Sequence, residues 1–223
     1  MTLNIEGEQP LIPQIVASDN FSRKNNEPDL PLVWQWNHNP NNDYWSVKER
    51  KGYLRLKTFR VDESFLNAKN TLTQRTFGPA CTGEIAMDVS NMKDGDFAGL
   101  GLLQRKYGLV GVKMQDGKKY IFAGNAQDAD RDHENYREIE TIPLQAKKAY
   151  FKVEGNFEDR ADIGFFYYSL DGKTWKPIGD TLKLRYDLLH FMGCRFALFN
   201  FATKETGGYV DFDYFKVGHE LSH

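Results

Sequence analysis

The stretch that decides the fold runs from Phe97 to Phe122, FAGLGLLQRKYGLVGVKMQDGKKYIF. Its apolar residues fall in short runs with strand periodicity and no helical spacing. Phe97 to Leu103, Leu109 to Met114 and Tyr120 to Phe122 each read as a strand. Asp116-Gly117 lies between the second and third runs, and this dipeptide accepts the left-handed backbone that a two-residue hairpin requires.

The same pattern extends in both directions. Gly52 to Lys57 (GYLRLK) alternates cleanly, and Ile85 to Val89, Ala149 to Val153, Ile163 to Ser169, Arg195 to Phe201 and Tyr209 to Val217 continue it. Asp171-Gly172 marks a second hairpin within YYSLDGKTW. The count reaches roughly a dozen strands with turn signals at sandwich spacing. Helix signals are poor, and only Arg185 to Met192 (RYDLLHFM) predicts a helical turn. The sequence therefore predicts an all-β fold, a two-sheet antiparallel β-sandwich of the jelly-roll, concanavalin-like kind. Asn125 to Asn135 reads as a long polar loop. Residues 1–13 read as a loose lead-in and 14–223 as one domain, since no composition break divides the chain.

Composition narrows the function. The 223 residues carry a formal net charge of −2, which points neither to nucleic acid nor to an anionic membrane. Sixteen Phe and eleven Tyr suit strands and supply a large core. No apolar run reaches the length of a membrane span. The start, MTLNIEGEQPLIPQ, lacks the basic and apolar segments of a signal peptide, so an intracellular chain or a fragment with an added Met1 is expected. Cys81 and Cys194 pair only if the fold brings them together. Two cysteines and five scattered histidines give no zinc-ligand spacing.

Several residues are candidates for a carbohydrate-binding or interface role. In LVWQWNHNPNNDYW, Leu32 to Trp45, a strand over Val33 to Asn37 places Trp34 and Trp36 on one face. The plain reading is core, and the functional one is stacking on sugar rings. Asn37, His38 and Asn39 then open a turn, with His38 as a hydrogen-bonder. In NTLTQRTFGP, Thr71, Thr73 and Arg75 share one strand face, a polar face that is solvated, sugar-facing or partner-facing. Phe77 closes that strand, and Gln104 ends another. Phe199 and Phe201 lie on one face as a strand enters the loop ATKETGG; core is the commoner role for such rings. Asp211 and Asp213 alternate with aromatics in VDFDYF. Surface carboxylates at turns are the simpler reading. The alternative is a structural calcium held by Asp211 and Asp213, with Asp19 as a third ligand if the first and last strands pair.

Catalysis finds little support. Glycoside hydrolysis needs two placed carboxylates, and the nearest pair is Glu138-Ile139-Glu140, with Pro143 where a third acid would stand. No Ser-His-Asp or Cys-His arrangement is legible.

The blocks LVWQWNHNP, GYLRLKT, NTLTQRTFGP, MKDGDFAGLGLLQRKYGLVGVK and VDFDYF, in this order over about residues 15–217, resemble the C-terminal concanavalin A-like sandwich of family 43 glycoside hydrolases. These are the β-xylosidases and α-arabinofuranosidases. The resemblance implies a parent hydrolase whose N-terminal catalytic β-propeller carries the acids and inverts the glycosidic centre. It implies that the sandwich packs on that propeller, and that one of its aromatics, with Phe77, Phe199 and Phe201 as candidates, helps close the substrate pocket. A noncatalytic accessory domain is the leading expectation. A module binding xylan-type oligosaccharide is the second, and a free-standing sandwich enzyme the third.

Overall fold

The structure is a computed structural model that describes residues 15–129, 133–185 and 192–222. The lead-in 1–13 and most of the helical turn expected at 185–192 lie outside the described residues. Fifteen strands are present among them: β1 (Gln35–Trp36), β2 (Trp45–Ser46), β3 (Leu54–Lys57), β4 (Leu72–Arg75), β5 (Ala80–Asn91), β6 (Asp96–Leu103), β7 (Gly108–Gln115), β8 (Lys118–Asn125), β9 (Arg137–Leu144), β10 (Lys148–Asn156), β11 (Ile163–Ser169), β12 (Lys176–Pro177), β13 (Leu182–Lys183), β14 (Arg195–Ala202) and β15 (Tyr209–Gly218).

They form two antiparallel sheets. One runs β1-β4-β14-β6-β7-β8-β9, and the other β12-β11-β10-β5-β15-β3-β2, with β13 beside β11. The expected sandwich is therefore present. The decisive stretch supplies β6, β7 and β8 in the middle of the first sheet. Its hairpin pairs Gln115 with Lys118, and Asp116 and Gly117 both take positive φ, 51° and 73°. A two-residue turn of this hand matches the strand twist.

The sequence reading missed the two-residue strands β2, β12 and β13 and one long strand, β9. Its residues REIETIPL are mostly exposed, and an edge strand with one wet face carries little apolar signal. Within the first sheet, Gly99 of β6 opposes Gly111 of β7. A Cβ on either would stand 2.1 Å and 2.0 Å from a carbonyl oxygen of the facing strand. Only glycine permits that approach.

Between the sheets lies the main core. It joins Leu54, Leu56, Ile85, Met87, Phe151, Val153, Phe212 and Phe215 of the eight-stranded sheet to Leu72, Leu100, Val110, Phe196 and Leu198 of the seven-stranded one. Trp34 belongs to this core at 6% exposure, with its ring 5.2 Å from that of Phe215. In β15 the alternation slips between Phe212 and Tyr214, a bulge that keeps both Phe212 and Phe215 inward. Asp211 is not a surface residue, contrary to the plain reading of VDFDYF. It is nearly buried between Arg55, at 2.7 and 2.9 Å, and Arg50, at 3.0 Å. The hydrogen bonds that Arg50 donates to Asp88 and Asp211, and that Arg55 donates to Asp211, raise the pKa of both guanidiniums. They also satisfy a carboxylate that would otherwise be costly to bury.

Candidate binding face on the seven-stranded sheet

β14 explains why the outer face of the seven-stranded sheet is unusual. Its sequence RFALFNFA sends Phe196 and Leu198 into the inter-sheet core. Ala197, Phe199 and Phe201 alternate with them and join a second apolar cluster. Phe97 and Leu103 of β6, Leu109 of β7 and Phe122 of β8 belong to that cluster too. Two segments cover it. The short 3-10 turn at Phe65–Asn67 contributes Phe65 and Leu66, and the segment after β8 contributes Ala126, Ala129 and Tyr136. The loop predicted as polar, Asn125 to Asn135, therefore anchors itself with the buried Ala126 and Ala129, and Tyr136 follows directly after it.

Ring contacts hold the cluster together. Phe65 lies 4.9 Å from Tyr107 and 5.2 Å from Phe199, and Phe97 stacks on Phe201 at 5.5 Å. Such contacts add to the burial they accompany. The cover is incomplete. A hollow of about 400 Å³ opens between Phe65, Phe97, Tyr107, Tyr136 and Phe201, with Glu63 and Glu134 at its rim. The Tyr107 hydroxyl donates to Glu134. Burial and that carboxylate push the Tyr107 phenol upward.

The predicted site residues disperse. Trp36 is half-buried, 5.1 Å from Trp45. Asn37 donates its backbone N–H to Thr71 at 2.9 Å. His38 is exposed, with Nε2 2.7 Å from the Leu66 carbonyl. This run therefore ties down the segment that covers the second cluster. The polar face expected at Thr71, Thr73 and Arg75 is not solvated as a whole. Thr71 and Thr73 are buried and donate to the carbonyls of Ala68 and Gln35, the second bond joining β4 to its edge neighbour β1 in the same sheet. Arg75 alone is exposed. Gln104 is buried, its amide donating to the Met192 carbonyl and its oxygen accepting from the Arg105 N–H.

The three candidate aromatics separate by exposure. Phe199 is wholly buried, while Phe201 reaches the hollow. Phe77 sits half-buried in the loop after β4, 4.9 Å from the His219 ring, and lines a separate hollow of about 350 Å³ near Phe157 and Cys194. Cys81 and Cys194 are both free. Burial pushes their thiols up to about 11 and about 12, so neither is a reactive thiolate near neutral pH.

Two of the carboxylates offered to calcium do come close. Asp19 pairs with Phe215 in a bridge between the first segment and β15, and Asp19 and Asp213 line one shallow groove. Each is already countered. Asp19 takes Arg23 at 2.6 and 2.8 Å and the Trp34 indole at 2.9 Å, and Asp213 takes Lys148 at 2.5 Å. No metal-binding group of three or more acidic, His or Cys side chains occurs among the described residues. Of the paired acids on β9, Glu138 meets Lys113 at 2.6 Å and Glu140 accepts the Gly179 N–H at 3.0 Å.

Residues 18–218 match the family of the β-xylosidase C-terminal concanavalin A-like domain. The chain belongs to this family. A β-xylosidase of Formosa agariphila is 31% identical over 231 residues, covering 92% of this chain and 35% of the relative. A putative β-xylosidase of Xylanibacter ruminicola is 33% identical over 155 residues, covering 70% and 26%. A bifunctional GH43-CE protein of Bacteroides eggerthii superposes with a TM-score of 0.89 at 61% identity, covering 95% of this chain and 27% of that one. The concanavalin A-like domain is thus about a third or less of the length of each of these relatives.

Sequence reading missed Tyr107, Tyr136 and Phe65, which build the hollow, and Arg195, which lies opposite Arg75. One signal was available. In RFALFNFA both alternating phases are apolar, the mark of a strand covered on both faces.

Proposed function

We propose that this chain is a noncatalytic accessory domain of a family 43 glycoside hydrolase active on xylan-type glycans. It packs on a catalytic propeller outside this chain and helps shape that propeller's substrate pocket. The observation that carries the reading is the coverage. The family match spans nearly the whole chain, yet the chain spans only 35% of the Formosa agariphila β-xylosidase. The state of the acids supports it, since Glu138 and Glu140 are each engaged by a neighbour. An inverting hydrolase needs one carboxylate free to activate water and another held protonated.

Of the candidate aromatics, Phe77 fits the pocket-closing role best. It stands on a loop and is half-exposed, whereas Phe199 is wholly buried. The test is hydrolysis of para-nitrophenyl β-D-xylopyranoside by this chain alone. No release above the buffer rate is expected. Saturable release that disappears in Glu138→Gln or Glu140→Gln would overturn the noncatalytic reading.

A further inference from the structure

Arg75 and Arg195 occupy directly opposed positions in the β4–β14 ladder. Like charges in that relation destabilise a sheet. Arg23, Arg50, Arg55, Arg60 and Arg137 each meet a carboxylate. Neither Arg75 nor Arg195 takes part in an ion pair among the described residues. Arg75 is exposed. Arg195 donates through Nη1 to Gln35 and, at 3.4 Å, to the Thr73 hydroxyl. Its Nε is buried with no partner. Burial and the neighbouring Arg75 charge both lower the Arg195 pKa. The two guanidiniums share a hollow of about 390 Å³ with Thr76, Met192, Gly193 and Cys194.

We infer that this hollow is a binding site for a carboxylate-bearing sugar, a hexuronate unit of a glycan. Two adjacent guanidiniums offer planar N–H donors that match a carboxylate. An arriving anion would remove their mutual repulsion and give the buried Nε a route to satisfaction through rearrangement. The hollow has the volume of a small-ligand site, and the exposed Gln35, whose side-chain oxygen accepts from Arg195, stands next to it. The sugar half of this inference rests on the carbohydrate-active reading above, while the carboxylate half rests on the two arginines alone.

The test is calorimetric titration of this chain at low salt with sodium D-glucuronate, sodium acetate and D-xylose. Saturable binding of glucuronate is expected, with acetate weaker and xylose weaker still. Arg75→Gln should weaken glucuronate binding about tenfold or more. The same substitution relieves the like-charge contact, so it should raise the melting temperature of the unliganded protein. A merely structural Arg75 would lower it. Glucuronate binding unchanged in Arg75→Gln, or no saturable binding, would overturn the site. Acetate binding as tightly as glucuronate would overturn its sugar character. None of these outcomes depends on a catalytic domain, so this site can fail while the accessory-domain reading stands, and the reverse.

Discussion

Asp96 shows how one buried carboxylate sets a pH response. It is wholly buried at the start of β6, and its Oδ2 accepts the Lys93 N–H at 2.7 Å. A Cβ on Gly208 would come within 1.8 Å of that oxygen, so the glycine is required there. Desolvation outweighs the Lys93 N–H and raises the Asp96 pKa to about 6, with Lys93 and Glu205 as the charged neighbours. An unfolded aspartate titrates near 4. The folded state therefore holds the proton more tightly. The associated stability is fully present below about pH 4, falls as pH rises through about 6, and stays lost above. Two pKa units correspond to about 3 kcal/mol. Asp96→Asn should remove this dependence. Urea unfolding at pH values near 4 and near 7.5 should show the variant gaining on the wild type at the higher pH. A constant difference between the two proteins would refute the assignment.

At the scale of elements, β14 is the strand on which both apolar clusters depend. Phe196 and Leu198 fill the inter-sheet core, and Phe199 and Phe201 the outer cluster. Removing a fully buried phenylalanine ring costs about 3–5 kcal/mol. Phe199→Ala should therefore destabilise the protein by an amount in that range, although its ring lies outside the sandwich interior. Phe77→Ala, half-exposed, should cost much less. Equal midpoints in urea for the two variants would contradict the two-cluster account. Legibility in the sequence followed the same division. Strands with dense apolar runs and a defined turn, such as β7 and β8 around Asp116-Gly117, were readable from local pattern. The covering of the outer face was not, because it depends on segments distant in sequence. His38 meets Leu66 and Asn70 interlocks with Asn41, and neither pairing follows from local pattern. Thr71 and Thr73 looked solvent-facing for the same reason. A polar strand face does not announce that β1 will pair along its edge and take the Thr73 hydroxyl on the Gln35 carbonyl. Within the candidate site, Arg75 was legible as an unusual cation, but its partner Arg195 appeared only once β4 and β14 were adjacent.

For the whole molecule, the central claim is dependence on a larger enzyme. The sandwich has a complete core of its own between the two sheets, so it requires no partner to bury that core. What remains for a partner are exposed features: the aromatic hollow, the loop carrying Phe77 and the paired arginines. Few of the described large apolar residues are strongly exposed, with Leu32 the most so at 96%. Interdomain contacts within a chain are commonly polar and modest in area, so a shared interface needs no large greasy patch. The most direct measurement uses the Bacteroides eggerthii relative, which is 61% identical over the shared domain. Its glycoside hydrolase activity is compared in the intact protein, in a form lacking the matching segment, and in a chimera carrying this chain in that place. An accessory domain that shapes the pocket predicts a strong loss on deletion and recovery in the chimera, with Phe77→Ala in the chimera raising KM. Full activity after deletion would contradict the account.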